Sequence, residues 1–223
     1  MVNILIETDY FKIIENSSKI TSMYNLVLKE QNETLLKSIV SLKKLKACRI
    51  CNDYKSLTFH AKNITLLNKV IGSISDKQMS FFFNCLTNQL KFLIESKYES
   101  FSYLNPREIL LIDNVCICLS SNLLALDDTG NLEIFLPFDK TVYNAPEINA
   151  ITRLPHKTRY ECVFYSLAVL VIYNKFNSSF PKSTIASREE ITSFIKPLYH
   201  SKLYYTLMRC LEKDPADRSI VCV

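Results

Sequence analysis

The chain has 223 residues, of which 48% are hydrophobic and 11% aromatic, and its 27 basic and 22 acidic residues give a formal net charge of +5. A chain of this length and apolar content can bury one sizeable core, so we expect one compact unit. Its eight cysteines are unevenly spaced and follow no signal peptide, which predicts free thiols in a reducing intracellular compartment, the cytoplasm or the nucleus. No apolar run approaches the length of a membrane span, so we expect no membrane contact.

Two local groups of polar side chains bear on possible ligands. The segment 43–46 carries three lysines, which we interpret as the solvated face of a helix, with a nucleic-acid-binding patch as the alternative. Cys48 and Cys51 form a single Cys-x-x-Cys pair, and His60 follows. A closed zinc site needs four ligands, so we expect no metal here and place His60 on a strand surface or in the core.

The first half of the chain begins with strand patterns and continues with a helix pattern. Residues 3–7 and 23–30 alternate apolar and polar side chains, which predicts two strands. A turn is expected at 15–20. A helix is predicted over 32–47, because Asn32 can cap it and leucine, isoleucine and valine recur at helical spacing.

The next stretch predicts further strands and then a long helix. Branched and aromatic residues are concentrated at 56–60 and 64–71, which favours strands. From Asp76 to Glu95, methionine, phenylalanine and leucine recur at helical spacing. This periodicity predicts an amphipathic helix of about six turns.

Two interpretations remain open for the segment 101–135. In the first, a loop is followed by a strand that begins near Val115. In the second, one capped helix spans 105–121 and a hairpin spans 122–135. In both, the Asp-Asp-Thr-Gly sequence at 127–130 predicts a turn rather than a metal site, because these residues favour turns.

Three short motifs follow in the second half. Ala145-Pro146-Glu147 comes first, Ser166-Leu167-Ala168 lies in an apolar helical stretch, and Asp214-Pro215 precedes Arg218. In this order the motifs resemble the C-terminal lobe of the protein kinase-like superfamily. In that superfamily the glutamate of the first motif pairs with the arginine of the last.

The resemblance implies an α+β fold of two lobes. A small, strand-rich N-terminal lobe would occupy residues 1–75, and a mostly helical C-terminal lobe would occupy residues 76–223. Glu147 and Arg218 would form a structural ion pair. Separating a buried pair of this kind is costly, because the remaining charge is left without a partner.

The positions that carry chemistry in that superfamily depart from its pattern. By the resemblance, Tyr103 replaces the catalytic aspartate, Glu108 replaces the asparagine that holds a second magnesium ion, and Ser121 replaces the magnesium-binding aspartate. Lys29 is the candidate for the lysine that holds the nucleotide phosphates. The turn at 15–20 takes the place of the glycine-rich loop but contains no glycine, so its backbone lacks the freedom to approach phosphates closely.

Two supporting positions are also altered. No acidic residue lies within 34–51 to pair with the strand lysine, and Val163 stands where an aspartate anchors the catalytic loop. The scaffold residues Leu104, Pro106, Ile109 and Leu110 match the superfamily's catalytic-loop segment, whereas the chemical positions do not. We therefore interpret the chain as a pseudokinase without catalytic residues or a bound cofactor, acting as an intracellular scaffold for a protein partner. The apolar residues Ile134, Phe135 and Phe138 are the candidate partner-binding side chains.

Two alternatives stay open. A divergent but active serine/threonine protein kinase would bind ATP and use Lys29, Glu108 and Asp127 or Asp128 in altered roles. An unrelated mixed-fold interaction protein would carry the motifs by coincidence. Contact between Glu147 and Arg218 in space distinguishes the kinase-like interpretations from the last one.

Overall fold

The computed structural model describes residues 3–17, 22–176 and 188–220, and it has a mixed α+β fold. The strands are β1 Asn3–Glu7, β2 Phe11–Ser17, β3 Ser22–Leu28, β4 Lys46–Ile50, β5 Ser56–His60, β6 Ile64–Leu66, β7 Glu99–Phe101, β8 Ile109–Ile112, β9 Val115–Cys118, β10 Leu123–Ala125, β11 Asn131–Ile134 and β12 His156–Arg159. The helices are α1 Glu33–Ser41, α2 Leu67–Val70, α3 Asp76–Lys97, α4 Pro146–Asn149, α5 Cys162–Phe176, α6 Arg188–Ile195 and α7 Lys202–Cys210. The α+β class predicted from the sequence is confirmed.

The first five strands form one antiparallel sheet in the order β1-β2-β3-β5-β4. Their alternating pattern sends one set of side chains to a buried face, because successive side chains of a strand point to opposite sides. Tyr24, Leu26 and Leu28 are buried along β3, and Leu57 and Phe59 are buried along β5. The strands predicted at 3–7 and 23–30 are therefore confirmed, with β3 ending two residues early.

Helix α1 is shorter than the predicted helix over 32–47. Asn32 caps its start, since the side-chain oxygen accepts a hydrogen bond from the Leu35 amide at 2.8 Å. After Leu42 the chain leaves the helix through Lys43, which has a φ of 52°, and residues from Lys46 pair with β5 instead. The interpretation of the three lysines as a helix face is consequently wrong, because they lie in the connection and at the start of β4.

The segment 64–71 combines a strand with a helical turn, so the prediction of strand throughout is also wrong. Residues of β6 pair with β8, and β8 pairs with β9 in a hairpin. All eight residues of β8 and β9 are buried. A helix over 105–121 is excluded by this hairpin, whose turn holds Asp113 at a φ of 50°. The first interpretation of 101–135 is the one that fits the structure.

Helix α3 has the capping box that its first residues allow, with Ser75 and Gln78 bonded to each other's backbone amide. It packs against α1, α5 and β9. Helix α5 is buried around nearly its whole circumference, and α6 and α7 pack against it. A helix that is apolar on all sides needs such cover. There are two further strand pairs, β7 with β10 and β11 with β12, and β7 packs against α3.

Within the three described ranges, none of the helices is long and apolar enough to cross a membrane. The buried side chains of the sheet and of the helices form one contiguous hydrophobic cluster that extends from Ile6 to Leu211.

Candidate functional site

An open groove of about 570 Å³ brings together several side chains singled out in the sequence. It lies where the loop after β7, the loop after β9 and the segment after β11 meet. Its lining consists of Ser102, Tyr103, Ser121, Asn122, Leu124, Ile134, Phe135, Leu136, Pro137, Phe138 and Asp139. Tyr103 and Ser121, which are distant in the sequence, therefore share one groove with the candidate partner-binding residues.

Helix α5 holds the loop after β7 in place through two hydrogen bonds. The Leu104 amide donates a hydrogen bond of 2.8 Å to Ser166 Oγ, and the Cys162 thiol donates to the Ser102 carbonyl at 3.1 Å. Val163 is buried and contributes packing. The resemblance singled out position 163 as the place of the residue that anchors the catalytic loop. In this chain Ser166, on the next turn of the same helix, makes the hydrogen bond that holds this loop. The only sequence signal is that Cys162 and Ser166, spaced four residues apart, share one helix face.

Tyr103 presents its ring to the groove beside Phe138, with the two ring centroids 6.2 Å apart. The Asn122 side chain donates to the Tyr103 carbonyl at 3.1 Å, which joins the two loops. Burial, followed by the negative charge of Glu108, raises the pKa of the Tyr103 hydroxyl above its ordinary value. This hydroxyl stays protonated at neutral pH and is a hydrogen-bond donor rather than a base.

Glu108 lies at the end of a 3₁₀ turn, Pro106–Glu108, and accepts a hydrogen bond from the Ser120 hydroxyl. Burial raises the pKa of the Glu108 carboxyl, against the opposing effect of the Ser120 hydrogen bond, and the charge of Asp9 raises it further. Ser121, which follows Ser120 in the chain, is exposed. The carboxyl of Glu108 is therefore tied to the loop that follows β9.

The turn predicted at 127–130 is present. Asp127 Oδ1 accepts from the amides of Thr129 and Asn131 at 3.0 and 2.9 Å, and Oδ2 lies 3.2 Å from Lys157 Nζ. Hydrogen bonds from the Asn131 amide and the Thr129 hydroxyl are the main reasons why the pKa of Asp127 is lowered. Gly130 has a φ of 77°, a conformation that suits glycine.

No group of three histidine, cysteine or acidic side chains that could hold a metal ion occurs in the part of the chain that the structure describes. Cys48 and Cys51 are half-buried free thiols, one in β4 and one just after it. His60 is half-buried at the end of β5, in register with Met23 of β3.

Lys29, the candidate for holding nucleotide phosphates, is exposed and follows the end of β3. Its backbone amide donates to the Tyr10 carbonyl at 2.8 Å. Glu33 is occupied by an ion pair of 2.6 Å with Lys37 on the same helix. Of the turn predicted at 15–20, the first three residues continue β2 and the last three lie outside the described residues.

Glu147 and Arg218 meet in a bidentate ion pair, the contact that the resemblance implied. Arg218 Nη1 and Nη2 lie 2.5 and 3.0 Å from Glu147 Oε1 and Oε2, and Arg218 Nε donates to the Glu212 carbonyl at 2.8 Å. The Arg218 side chain is fully buried, whereas that of Glu147 is 23% exposed. The guanidinium also lies over the Tyr165 ring at 5.1 Å. Burial raises the pKa of Tyr165 to about 12, although the nearby arginine opposes the change.

The apolar strip, residues 134–138 at the end of β11 and after it, has some side chains in the core and others on the surface. Ile134 is buried and pairs with His156 of β12. Phe135 and Leu136 are 63% and 76% exposed, and Phe138 is half-buried against Tyr103. The strip therefore offers two exposed apolar side chains at the rim of the groove.

A comparison with known protein families found no family model that matches the sequence, and a comparison with functionally characterised proteins found no significant match. The geometry of the groove and of the ion pair is therefore the basis for a functional assignment.

Proposed function

We propose that this chain is a catalytically inactive protein kinase-like protein, a pseudokinase, that acts as an intracellular binding scaffold. The observation that carries the proposal is the bidentate pair between Glu147 and Arg218. The pair joins two of the three motifs on which the kinase resemblance depends, across 71 residues of chain. Coincidental motifs would have no reason to meet, and they would have no reason to bury the arginine fully.

The local structure around the groove supports the same proposal. The segment that resembles a catalytic loop precedes the hairpin of β8 and β9, and the segment that resembles a metal-binding loop follows it. Tyr103 and Ser121, the altered positions of these two loops, line one groove. This is the juxtaposition that a kinase-like alignment requires of them.

The chemistry of the groove favours binding over phosphoryl transfer. Transfer depends on metal ions and positioned charges that stabilise the phosphoryl group. At the matching positions this chain has a protonated tyrosine, an exposed serine and a glutamate hydrogen-bonded to Ser120. The exposed Phe135 and Leu136 at the rim suit an apolar segment of a protein partner.

Thermal unfolding in the presence of ATP, with and without magnesium, tests the proposed lack of magnesium-dependent nucleotide binding. We expect no shift of the melting temperature, or a small shift that is the same with and without magnesium, because no carboxylate occupies position 121. A magnesium-dependent rise of several degrees that disappears in Lys29→Ala would contradict the proposal and would favour a divergent active kinase. Lys196→Ala, which changes an exposed lysine on another part of the chain, is the matched control.

A further inference from the structure

A second groove has a volume of about 620 Å³. It is bounded by the start of β4, the end of β5, the first turns of α3 and the turn between β8 and β9. Its lining consists of Lys44, Leu45, Lys46, His60, Lys62, Asn63, Gln78, Phe81, Ile112, Asp113, Asn114 and Val115. We call it the lysine groove, and it shares no residue with the groove around Tyr103.

The charge of the lysine groove is positive. Three lysines line it against one acid, Asp113. Asp113 Oδ1 already accepts hydrogen bonds from the amides of Lys62 and Asn63 at 3.0 and 2.8 Å. Lys46 and Lys62 are exposed, and neither has an ion-pair partner among the residues that the structure describes. The groove therefore carries positive charge that its own acid offsets only in part.

Apolar and amide groups lie beside these charges. Lys44 Nζ is 4.3 Å from the centroid of the Phe81 ring, which is 38% exposed. Asn63 and Asn114 add side-chain amides that can donate to and accept from a peptide backbone. Gln78, whose Oε1 accepts from Ser75 in the capping box, adds an amide donor. Strand β4 is at the end of its sheet, so one side of its backbone has no strand partner in the described structure.

We propose that the lysine groove binds an extended, acidic peptide segment of a partner protein. Carboxylates of the segment pair with Lys46 and Lys62, an apolar side chain rests on Phe81, and the amides bind its backbone. Charge complementarity of this kind chiefly sets specificity and the rate of association. A single-stranded nucleic acid is a poorer match, because it needs a series of aromatic platforms along a basic track, and Phe81 is the one aromatic ring beside His60 in this lining. The proposal does not depend on the kinase-like assignment.

Fluorescence anisotropy with a labelled synthetic peptide of about twelve residues, in which glutamates alternate with leucines and serines, tests this proposal on the full chain. We expect the peptide to bind at low ionic strength and to lose affinity as salt is added, because salt screens exposed charges. Lys46→Glu combined with Lys62→Glu is expected to weaken binding by about tenfold or more, since it reverses both free charges. The same peptide with lysines in place of glutamates should not bind.

The matched control is Lys196→Glu combined with Lys202→Glu, which changes the net charge equally at two exposed lysines outside both grooves. It should bind like the parent. Lys46→Gln combined with Lys62→Gln, which removes the charges without reversing them, should give a smaller loss and guards against misfolding of the first variant. The proposal is overturned if the acidic peptide does not bind at low salt. It is also overturned if the groove variant (Lys46→Glu with Lys62→Glu) and the control variant (Lys196→Glu with Lys202→Glu) lose affinity for the peptide equally. A third contrary result is a single-stranded oligonucleotide that binds more tightly than the peptide and loses its affinity in the groove variant but not in the control variant.

Discussion

Arg218 places a positive charge in the interior of the protein. The polar contacts of its guanidinium offset the free-energy cost of removing this charge from water. Its guanidinium is held by both oxygens of Glu147 and by the Glu212 carbonyl, and it lies over the face of Tyr165. A planar guanidinium with several donors suits this arrangement, whereas the single ammonium of a lysine does not.

Replacing Arg218 by alanine should lower the free energy of unfolding by about 3 kcal/mol, because Glu147 loses its partner and a cavity replaces the guanidinium. Urea-induced unfolding followed by circular dichroism measures this. Lys37→Ala breaks the exposed pair between Lys37 and Glu33 and should lower the stability far less, because water screens exposed charges, so it is the matched control. Equal midpoints for Arg218→Ala and the parent would remove the basis of the kinase-like alignment.

Glu108 gives a pH-dependent prediction of defined sign. Its pKa is raised in the folded chain, chiefly by burial, so the folded state binds this proton more tightly than the unfolded state does. The stabilisation is complete below the unfolded pKa of about 4.3 and is lost as the pH rises through the folded pKa. At neutral pH the ionised carboxylate therefore lowers the stability.

Glu108→Gln should consequently unfold at a higher urea concentration than the parent at pH 7.5, while its side-chain oxygen still accepts from Ser120. The advantage should shrink as the pH falls towards about 4, where both chains carry an uncharged side chain. Glu7→Gln, at an exposed position of β1, controls for the general loss of a negative charge. If the difference in urea midpoint between Glu108→Gln and the parent stayed constant over this pH range, burial of the Glu108 charge would not be the cause of the difference.

At the scale of elements, the segment after β11 separates residues that hold the groove together from residues available to a partner. Phe138 packs near Tyr103, so Phe138→Asp should lower stability by about 1 to 3 kcal/mol. Phe135 is largely exposed, so Phe135→Asp should change stability by about 0.5 kcal/mol or less. Thermal unfolding of the two single variants measures the difference.

The same two variants test the binding surface. With partner capture from the native cell as the readout, Phe135→Asp should lose the partner while keeping the parent melting temperature. Leu136→Asp, at the neighbouring exposed position, should behave in the same way. If Phe135→Asp proved as destabilising as Phe138→Asp, the strip would belong to the core and the partner-binding surface would lie elsewhere.

Elements with strong local signals could be predicted from the sequence, and elements decided by tertiary pairing could not. The cap at Asn32 and the long helix from Asp76 follow from local preferences. The end of α1 does not, because Leu45 continues the helical spacing yet packs on the core from the connection to β4. The hairpin of β8 and β9 had a helical alternative in the sequence, since short apolar runs are ambiguous.

The candidate site shows the same division. Glu147 and Arg218 could be paired in advance because each belongs to a motif. The contact of Ser166 with Leu104 could not, since a serine in an apolar helix gives no sign of the backbone that it will meet. The lysine groove was missed for a related reason, because Lys62 joins Lys44 and Lys46 only once the strands are paired.

At the scale of the whole molecule, the seven cysteines of the described ranges are free and unevenly protected. Cys48 and Cys51 are half-buried, whereas Cys85, Cys116, Cys118, Cys162 and Cys210 are buried. Burial raises the pKa of Cys48 to about 11, which leaves little of the reactive thiolate at neutral pH. The expected free thiols are thus present in the described part of the chain.

In a Cys222→Ser background, which removes the cysteine outside the described ranges, the five buried thiols should react with a thiol reagent only on unfolding. Because one hydrophobic cluster runs through the molecule, their exposure should follow the same urea midpoint as the loss of ellipticity. A change of ellipticity that precedes thiol exposure would show instead that the sheet of β1 to β5 unfolds separately.

The ion pair between Glu147 and Arg218 also has a thermodynamic consequence for ligand binding. Glu147 follows the segment that lines the groove around Tyr103, whereas Arg218 belongs to the end of the chain after α7. If a partner on Phe135 favours the conformation in which this pair is closed, closure of the pair must strengthen partner binding by the same factor, because coupling between two sites is reciprocal. Arg218→Ala would then weaken partner affinity without touching the surface that the partner contacts.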